Sequence, residues 1–430
     1  MSGFVFLIVA IFVAGYACIA LEAFTKVNKA AVALLMCVLC WTAYCLIPGH
    51  DLTSLPESLG ETAETLFFLM GAMTIVEIVD ANGGFNFVRD TMKTRSKRKL
   101  LWRVAFMTFF LSAILDNLTT SIVMIMVLRK LIQDPKERII FASMVIVAAN
   151  SGGAFSPIGD VTTIMLWIKG MVSTGGVLTE LFIPALVSMV VPAFLLSLSL
   201  KGKFDKAQNL QVGEVSAFTK HQRQAVFCLG VGGLIFVPIF KTITHLPPYM
   251  GILLVLGVLW TVTEIFNRHL DESDPMAKRV THLLSRIDMS TILFFLGVLM
   301  SVACLQTVGV LTTLGEGLNT AFRGNCYLTT GIIGALSSIV DNVPLVAGCM
   351  GMYPMAEAGN MAVDGSFWQL LSYCAGVGGS MLIIGSAAGV VVMGLEKITF
   401  GWYMKHISWL ALAGYLAGML CYWVEGNLIF

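Results

Sequence analysis

Apolar stretches of about 20 residues, the length a helix needs to cross roughly 30 Å of hydrocarbon, recur from one end of this chain to the other. They leave no segment over for a soluble domain. Of the 430 residues, 57% are hydrophobic and only 12% charged, an apolar excess that the surface of a water-soluble domain of this length cannot carry. The fold class that follows is an all-α polytopic membrane protein. The first run, Phe4 to Leu21, has no basic residue before it and no small-residue cleavage site after it, so it reads as a retained span rather than a signal peptide. A net charge of +1 gives no reason to expect nucleic acid as a partner; membrane lipid is the expected surrounding.

Where the charges sit says more than their sum. Lys26 and Lys29, Arg89 to Arg103, Arg129 to Arg138, Lys201 to Arg223, Arg268 to Arg286, and Lys397 with Lys405 hold 24 of the 27 Lys and Arg residues, leaving Lys169, Lys241 and Arg323 for the other side. Basic connections stay cytoplasmic. Two of these connections are consecutive, so the single apolar stretch between Arg103 and Arg129 must enter and leave by one face. Its arms, about 14 residues on either side of Asp116 and Asn117, reach only about 21 Å as helices. We therefore predict a re-entrant hairpin over 101–130, its tip in a protein-lined or water-filled setting near mid-membrane. The same reasoning gives a second hairpin over 327–354, entering from the opposite side.

The remaining spans are expected at about Phe4–Leu21, Lys29–Ile47, Thr62–Asp80, Ile139–Ile168, Val177–Leu200, Gln222–Phe240, Tyr249–Phe266, Met289–Thr307, Phe367–Leu395 and His406–Trp423. That makes about ten transmembrane helices with both termini outside. Leu111 to Asn117 (LSAILDN) matches Leu336 to Asn342 (LSSIVDN) at an offset of about 225 residues. One residue further in register, Gly152, Gly153 and Gly159 fall on Gly378, Gly379 and Gly385, and Gly71 on Gly297. The chain then divides into N-terminal spans (1–61), a first inverted repeat (62–200), connecting spans (201–288) and a second inverted repeat (289–430), the plan of many secondary transporters. Asn150 to Asp160 and Gly376 to Ser386 interrupt spans close to 30 residues long, at 139–168 and 367–395, which predicts discontinuous helices, reinforced by Pro157 in the first. Close helix packing is the other reading of these glycines.

Ionisable groups in hydrocarbon are costly and mark functional paths. Asp116 stands at the first tip with Asn117, Thr119 and Thr120; Asp160 stands in the facing break with Asn150, Ser151, Ser156, Thr162 and Thr163. A small alkali cation asks for carboxylate, amide, hydroxyl and carbonyl oxygens, and this set holds all four kinds. Asp116, Asn117 and Asp160 are the expected Na+ ligands. Two carboxylates converging in a partly desolvated cavity also invite a proton, so cation and proton would compete for one site. The alternative is that Asp116 and Asp160 only cap helix ends. In the second repeat Ser386 replaces Asp160 and Gly376 replaces Asn150, so the halves differ in chemistry; Ser338, Asp341, Asn342 and Ser380 are its candidate residues, with Asp341 also a plain hairpin cap.

Elsewhere the expectations are modest. Glu64 and Glu77 are either proton-path groups or solvated near an interface, Glu22 and Glu264 are expected to pair locally, and His245, His269, His282 and His406 lie in loops or at span ends. Cys37 and Cys40 form the one close pair among ten cysteines and lack nearby acidic or His ligands.

Ser112 to Thr120 (SAILDNLTT), Ala149 to Thr163 (ANSGGAFSPIGDVTT) and Ser337 to Pro344 (SSIVDNVP) resemble the NhaD type of sodium/proton antiporter, within the ion transporter superfamily, and the resemblance covers nearly the whole chain. It implies exchange of Na+ or Li+ for H+ favoured at alkaline pH, no cofactor, and functional roles for Asp116, Asn117, Asn150, Asp160, Thr162, Thr163, Asn342 and Ser380. It implies further a bacterial inner-membrane homodimer in which a hairpin-bearing part slides against a fixed scaffold. The dicarboxylate carriers that resemble this fold have Ser-Asn-Thr at both tips, where Asp-Asn stands here; a fixed negative charge at each tip repels a dicarboxylate. The competing reading is an arsenite, oxyanion or citrate carrier of the same superfamily. An organic-anion carrier is expected to place Arg or Lys near the tips, and none is expected deep in a span here. A channel is a third reading. An enzyme is disfavoured because no nucleophile–base pair, phosphate loop or dense metal site is present.

Overall fold

In the computed structural model the described residues are 3–20, 22–49, 53–85, 88, 91–92, 94–200, 202–204, 218–268 and 279–428. His269 and the basic residues Arg89, Lys93, Lys201, Lys206 and Lys278 lie outside them, as does Leu21 at the end of the first run. The described chain is helical, without a named strand. In order the main helices are α1 (Gly3–Ala20), α2 (Lys29–Cys45), α3 (Ser54–Ala81), α4 (Lys97–Leu115), α5 (Asn117–Leu131), α6 (Pro135–Ala154), α7 (Val161–Ile168), α8 (Phe182–Ser199), α9 (Lys220–Thr244), α10 (Pro248–Asn267), α11 (Met289–Thr307), α12 (Val310–Ala321), α13 (Cys326–Leu336), α14 (Asn342–Met352), α15 (Ser366–Gly378), α16 (Ala387–Glu396) and α17 (Ser408–Leu428).

Local sequence explains most starts. Asn28 accepts from Ala30 N to open α2, Ser96 from Lys99 N to open α4, and Asp134 from Lys136 N at α6, where Pro135 takes the position whose N–H has no helical partner. Thr219 and Gln222 close a reciprocal capping box on α9. Among the described residues five helices are long and apolar enough to cross a bilayer unaided: α3, α8, α9, α10 and α11. Phe400–His406 and α17, bent by 53° at their junction, are together long and apolar enough for a sixth, and the span expected at His406–Trp423 falls on α17. The amphipathic α12 was not foreseen, because the sequence reading sought lipid-length runs.

Both hairpins form, with different arms. Ser96 starts α4 several residues before its apolar part, so the first arm has 19 residues and the second 15, against about 14 expected for each. Asp116 alone makes the turn, at φ 76°, a left-handed setting that costs a non-glycine residue about 1–3 kcal/mol. The second hairpin has two arms of 11 residues joined by a turn through Asp341. The predicted breaks are also present: α6 stops at Ala154 and α7 resumes at Val161, and α15 stops at Gly378 before α16 begins at Ala387.

Equivalent atoms hold the two repeats together in the same way. Ser112 Oγ donates to Ala149 O at 2.6 Å and Ser337 Oγ to Ala375 O at 2.8 Å. A methyl on Gly152 would collide with the Phe109 carbonyl, and one on Gly378 with the Gly334 carbonyl. The glycines thus let each broken helix press its backbone against its own hairpin, and close packing and helix breakage turn out to be one device rather than rival readings.

Packing sorts the helices into two groups. One contains α1, α2, α3, α9, α10 and α11; the other contains both hairpins, both broken helices, α8 and α17. They meet where α11 and α12 pack on α14, α3 on α7, and α9 on α4. The hairpin-bearing group is knitted by Glu396, whose side chain is fully buried and pairs with Arg129 at 2.7 Å and Arg138 at 2.6 Å. That triad joins α5, α6 and α16.

Gly152→Ala is expected to cost about 1–3 kcal/mol through a clash that backbone cannot relieve. Gly232→Ala, where a methyl meets nothing within 4 Å, should leave the thermal midpoint of detergent-purified protein where it is. Equal midpoints for the two variants would contradict the packing role.

Candidate functional site

Asp160 is the centre. It is only 1% exposed, and it caps α7 by accepting from Thr162 N at 3.2 Å. Amides from both hairpin tips also reach it. Asn117 Nδ2 donates to Oδ2 at 3.0 Å, and Asn342 Nδ2 lies 3.4 and 3.3 Å from Oδ1 and Oδ2. Asn117 Nδ2 is also 3.1 Å from Asn150 Oδ1, while Asn150 Nδ2 donates to Ser380 Oγ at 3.0 Å and Ser386 Oγ at 2.9 Å. One network therefore joins tip one, tip two and both helix breaks, and every member is buried.

The donors to this carboxylate are neutral. No Lys, Arg or His among the described residues forms an ion pair with Asp160. A buried anion held only by dipoles remains costly, and a bound cation or a proton removes that cost. The oxygens at hand are the two of Asp160, Asn150 Oδ1 and the Ser380 and Ser386 hydroxyls. Half a turn of the Asn117 or Asn342 amide replaces its nitrogen with a further oxygen. Among the described residues no group of three His, Cys, Asp or Glu side chains is placed to hold a multivalent metal.

Of the candidate residues, Asn117, Asn150, Asp160, Asn342 and Ser380 come together, and Thr162 joins through its backbone. Thr163 is buried beside them, but its hydroxyl pairs with Ser372 Oγ at 2.8 Å. Ser338 bonds only its own turn, at Ala335 O. Asp116 turns away from the network: its oxygens take Thr119 N at 2.7 Å and Thr119 Oγ1 at 2.9 Å, and it lines a small apolar space with Phe68, Leu69, Ala72 and Val76 of α3. Asp160 caps α7 and also sits at the centre of the buried network, whereas the bonds of Asp116 are capping bonds.

Asp341 caps α14 through Val343 N and also binds Lys29 Nζ at 3.1 Å. No Lys or Arg was expected deep in a span; Lys29, at the start of α2, does not change that, but its ammonium reaches the second tip. Lys29 belongs to a basic connection, but its long stem carries the ammonium along the helix to the hairpin, as such side chains do at an interface. Sequence reasoning also missed Ser386 as a network member. Its register with Asp160 was the available signal. The peripheral carboxylates are local: Glu22 accepts from Lys29 N, Glu264 pairs with Arg279 at 2.7 Å, and Glu77 with Arg286 at 3.4 Å. Glu64 is half-buried. His245 ends α9, His282 lies in a short helix, and His406 stacks on Trp402. Cys40 is buried against Ile8 O.

The fold and site define a multi-pass membrane carrier. The profile of the citrate-transporter family matches residues 16–369. Sodium/proton antiporter 1 of Arabidopsis thaliana is 47% identical over 97% of this chain and 72% of its own length; sodium/proton antiporter 2 of the same plant is 44% identical over 96% and 98%. The Na+/H+ antiporter NhaD of Vibrio parahaemolyticus is 33% identical over 83% and 88%. The chain belongs to the NhaD-type sodium/proton antiporter family, within the citrate-transporter family. Because relatives come from a plant as well as from bacteria, they give no support to a bacterial inner membrane in particular.

Asn150→Ala leaves two serine hydroxyls and the Asn117 amide short of a buried partner, and we expect a loss of about 1–3 kcal/mol, seen as a lower unfolding midpoint in detergent. Ser338→Ala, which removes a bond within one turn, should fall within error of the unchanged protein. A midpoint for Asn150→Ala equal to that of Ser338→Ala would show that the network bears no load.

Proposed function

We propose that the chain exchanges Na+ or Li+ for H+ across the membrane by alternating access, with Asp160 as the shared cation and proton acceptor. The observation that carries this reading is the Asp160 carboxylate, buried and bonded only to neutral donors drawn from both hairpin tips. The names of the relatives support the same cargo. Asn117, Asn150, Asn342, Ser380 and Ser386 supply the remaining ligands. Asp116, in this reading, adds negative potential at the first tip without direct coordination. The loaded and protonated forms cross, while the empty, charged form is held back by the desolvation it would suffer.

The repeats at 62–200 and 289–430 have inverted topology in this proposal, with basic connections cytoplasmic and both termini outside. The hairpin-bearing group slides as an elevator along the panel formed by α1, α2, α3, α9, α10 and α11, and two chains pair as a homodimer. No cofactor takes part. A cavity of about 200 Å³ between Glu61, Thr62 and Thr65 of α3, Lys169 beyond α7, and Met350 of α14 serves as an outer vestibule.

The citrate-transporter profile favours a second reading, a citrate or dicarboxylate carrier. It asks for an unneutralised cation at the tips. Lys29 is spoken for by Asp341, and Asp160 would face the substrate with its own charge.

Proteoliposomes with a preset pH gradient and an internal pH dye decide between these. Na+ or Li+ is expected to collapse the gradient, K+ and citrate are not, and Asp160→Asn should fall to the protein-free background. A response to citrate alone would promote the second reading. Because protons compete for the same carboxylate, half-saturating Na+ should rise as pH falls, by up to about tenfold per unit, the mass-action limit for one proton. A half-saturating concentration that does not change with pH would rule out the shared site.

A further inference from the structure

Lys29 and Asp341 sit on different bodies. Lys29 is the first residue of α2, in the panel; Asp341 is in the turn between α13 and α14, on the hairpin-bearing group. Their side chains are 22% and 14% exposed, and the Lys29 ammonium also lies 4.2 Å from the centre of the Phe294 ring of α11. Tyr16 of α1 stands beside Asp341 as well. The tip is thus received by a socket built from α1, α2 and α11, three helices of one panel. Another ion pair between the bodies among the described residues, Lys169 with Glu61, is 36% and 66% exposed, a rim contact of the kind that contributes little.

Position makes the Lys29 pair consequential. Asp341 is followed directly by Asn342, whose amide binds Asp160, so one peptide unit separates the socket from the network. Whatever shifts the second tip against the panel must part Lys29 from Asp341. An interaction present in one access state and absent in the other biases the balance between them.

We propose that Lys29 is a positioning residue: its ion pair with Asp341 latches the second hairpin to the panel in the conformation described here and sets the balance between the two access states. This rests on the alternating-access reading above. Lys29 contacts no transported ion. It acts through the tip, and the energy of the latch appears as unequal apparent affinities on the two faces of the membrane.

The test uses Lys29→Gln, Asp341→Asn, the double variant and Lys29→Arg, all full-length. Hydrogen–deuterium exchange in nanodiscs reads the tip at 337–343 without any cargo. Proteoliposomes read half-saturating Na+ from each face. We expect each single neutral variant to speed tip exchange about threefold or more, the double to add nothing further because one interaction has been lost once, and Lys29→Arg to restore slow exchange. Half-saturating Na+ should move in opposite directions at the two faces by a similar factor. Unchanged tip exchange in the single variants, additive effects in the double, or unchanged half-saturation in an active protein would each overturn the latch. If the unmodified chain moves no Na+, the functional reading falls and the hydrogen-exchange result still decides the latch.

Discussion

A single carboxylate without a counter-charge organises this molecule. Asp160 lies where water does not reach, and its partners are amides and a backbone N–H. Dipoles lessen the cost of a buried anion without cancelling it. Two hairpin turns bring asparagines to it, and two broken helices place their ends beside it. Each hairpin turn and each break also creates a helix N-terminus with unpaired N–H groups. Asp116, Asp160, Asp341 and Ser386 cap four of these, so most of the positive ends carry a negative side chain before any ion arrives.

The two repeats share a scaffold and divide the chemistry. The hairpin contacts of Ser112 and Ser337 coincide, as do the close approaches of Gly152 and Gly378. At the breaks the symmetry is given up. Ser386 takes the place of Asp160 and accepts from Asn150 instead of from a tip. Gly376 takes the place of Asn150, and a Cβ there would stand 3.4 Å from Asp160 Oδ2. A carboxylate at 386 would put a second buried charge in the same network, and an amide at 376 would fill the space next to the first. The asymmetry is what leaves one acid with room beside it.

How much of this the sequence showed depends on the kind of signal. The span pattern, both hairpins, both breaks and their register were legible because lipid leaves few choices of backbone, and because Asp-Asn and the glycines recur in order. Asn117, Asn150, Asp160 and Asn342 were legible for the same reason. Side-chain direction was not. Asp116 and Asp160 look alike in sequence, yet the turn at φ 76° points one toward Thr119 and α3 while the other meets both tips. Lys29 looked like a loop residue, since sequence does not show how far a flexible stem reaches. Glu396 with Arg129 and Arg138 was invisible for a different reason: its partners lie more than 250 residues away.

Those ion pairs bear on how the bodies are able to move. Within the hairpin-bearing group a fully buried carboxylate with two arginines ties three helices, and removing one partner of such a set costs about 3–5 kcal/mol. Between the groups, ion pairs among the described residues include Lys29 with Asp341 and the exposed Lys169 with Glu61. Lys241 adds a bond to the Trp167 carbonyl and sits over its ring. The rest of the boundary is the packing of α11 and α12 on α14, α3 on α7 and α9 on α4. In the proposed elevator movement, a tightly bonded body on a weakly bonded boundary would slide as a unit before it deformed, and the polar links that cross the boundary would be the places where one position is preferred to another.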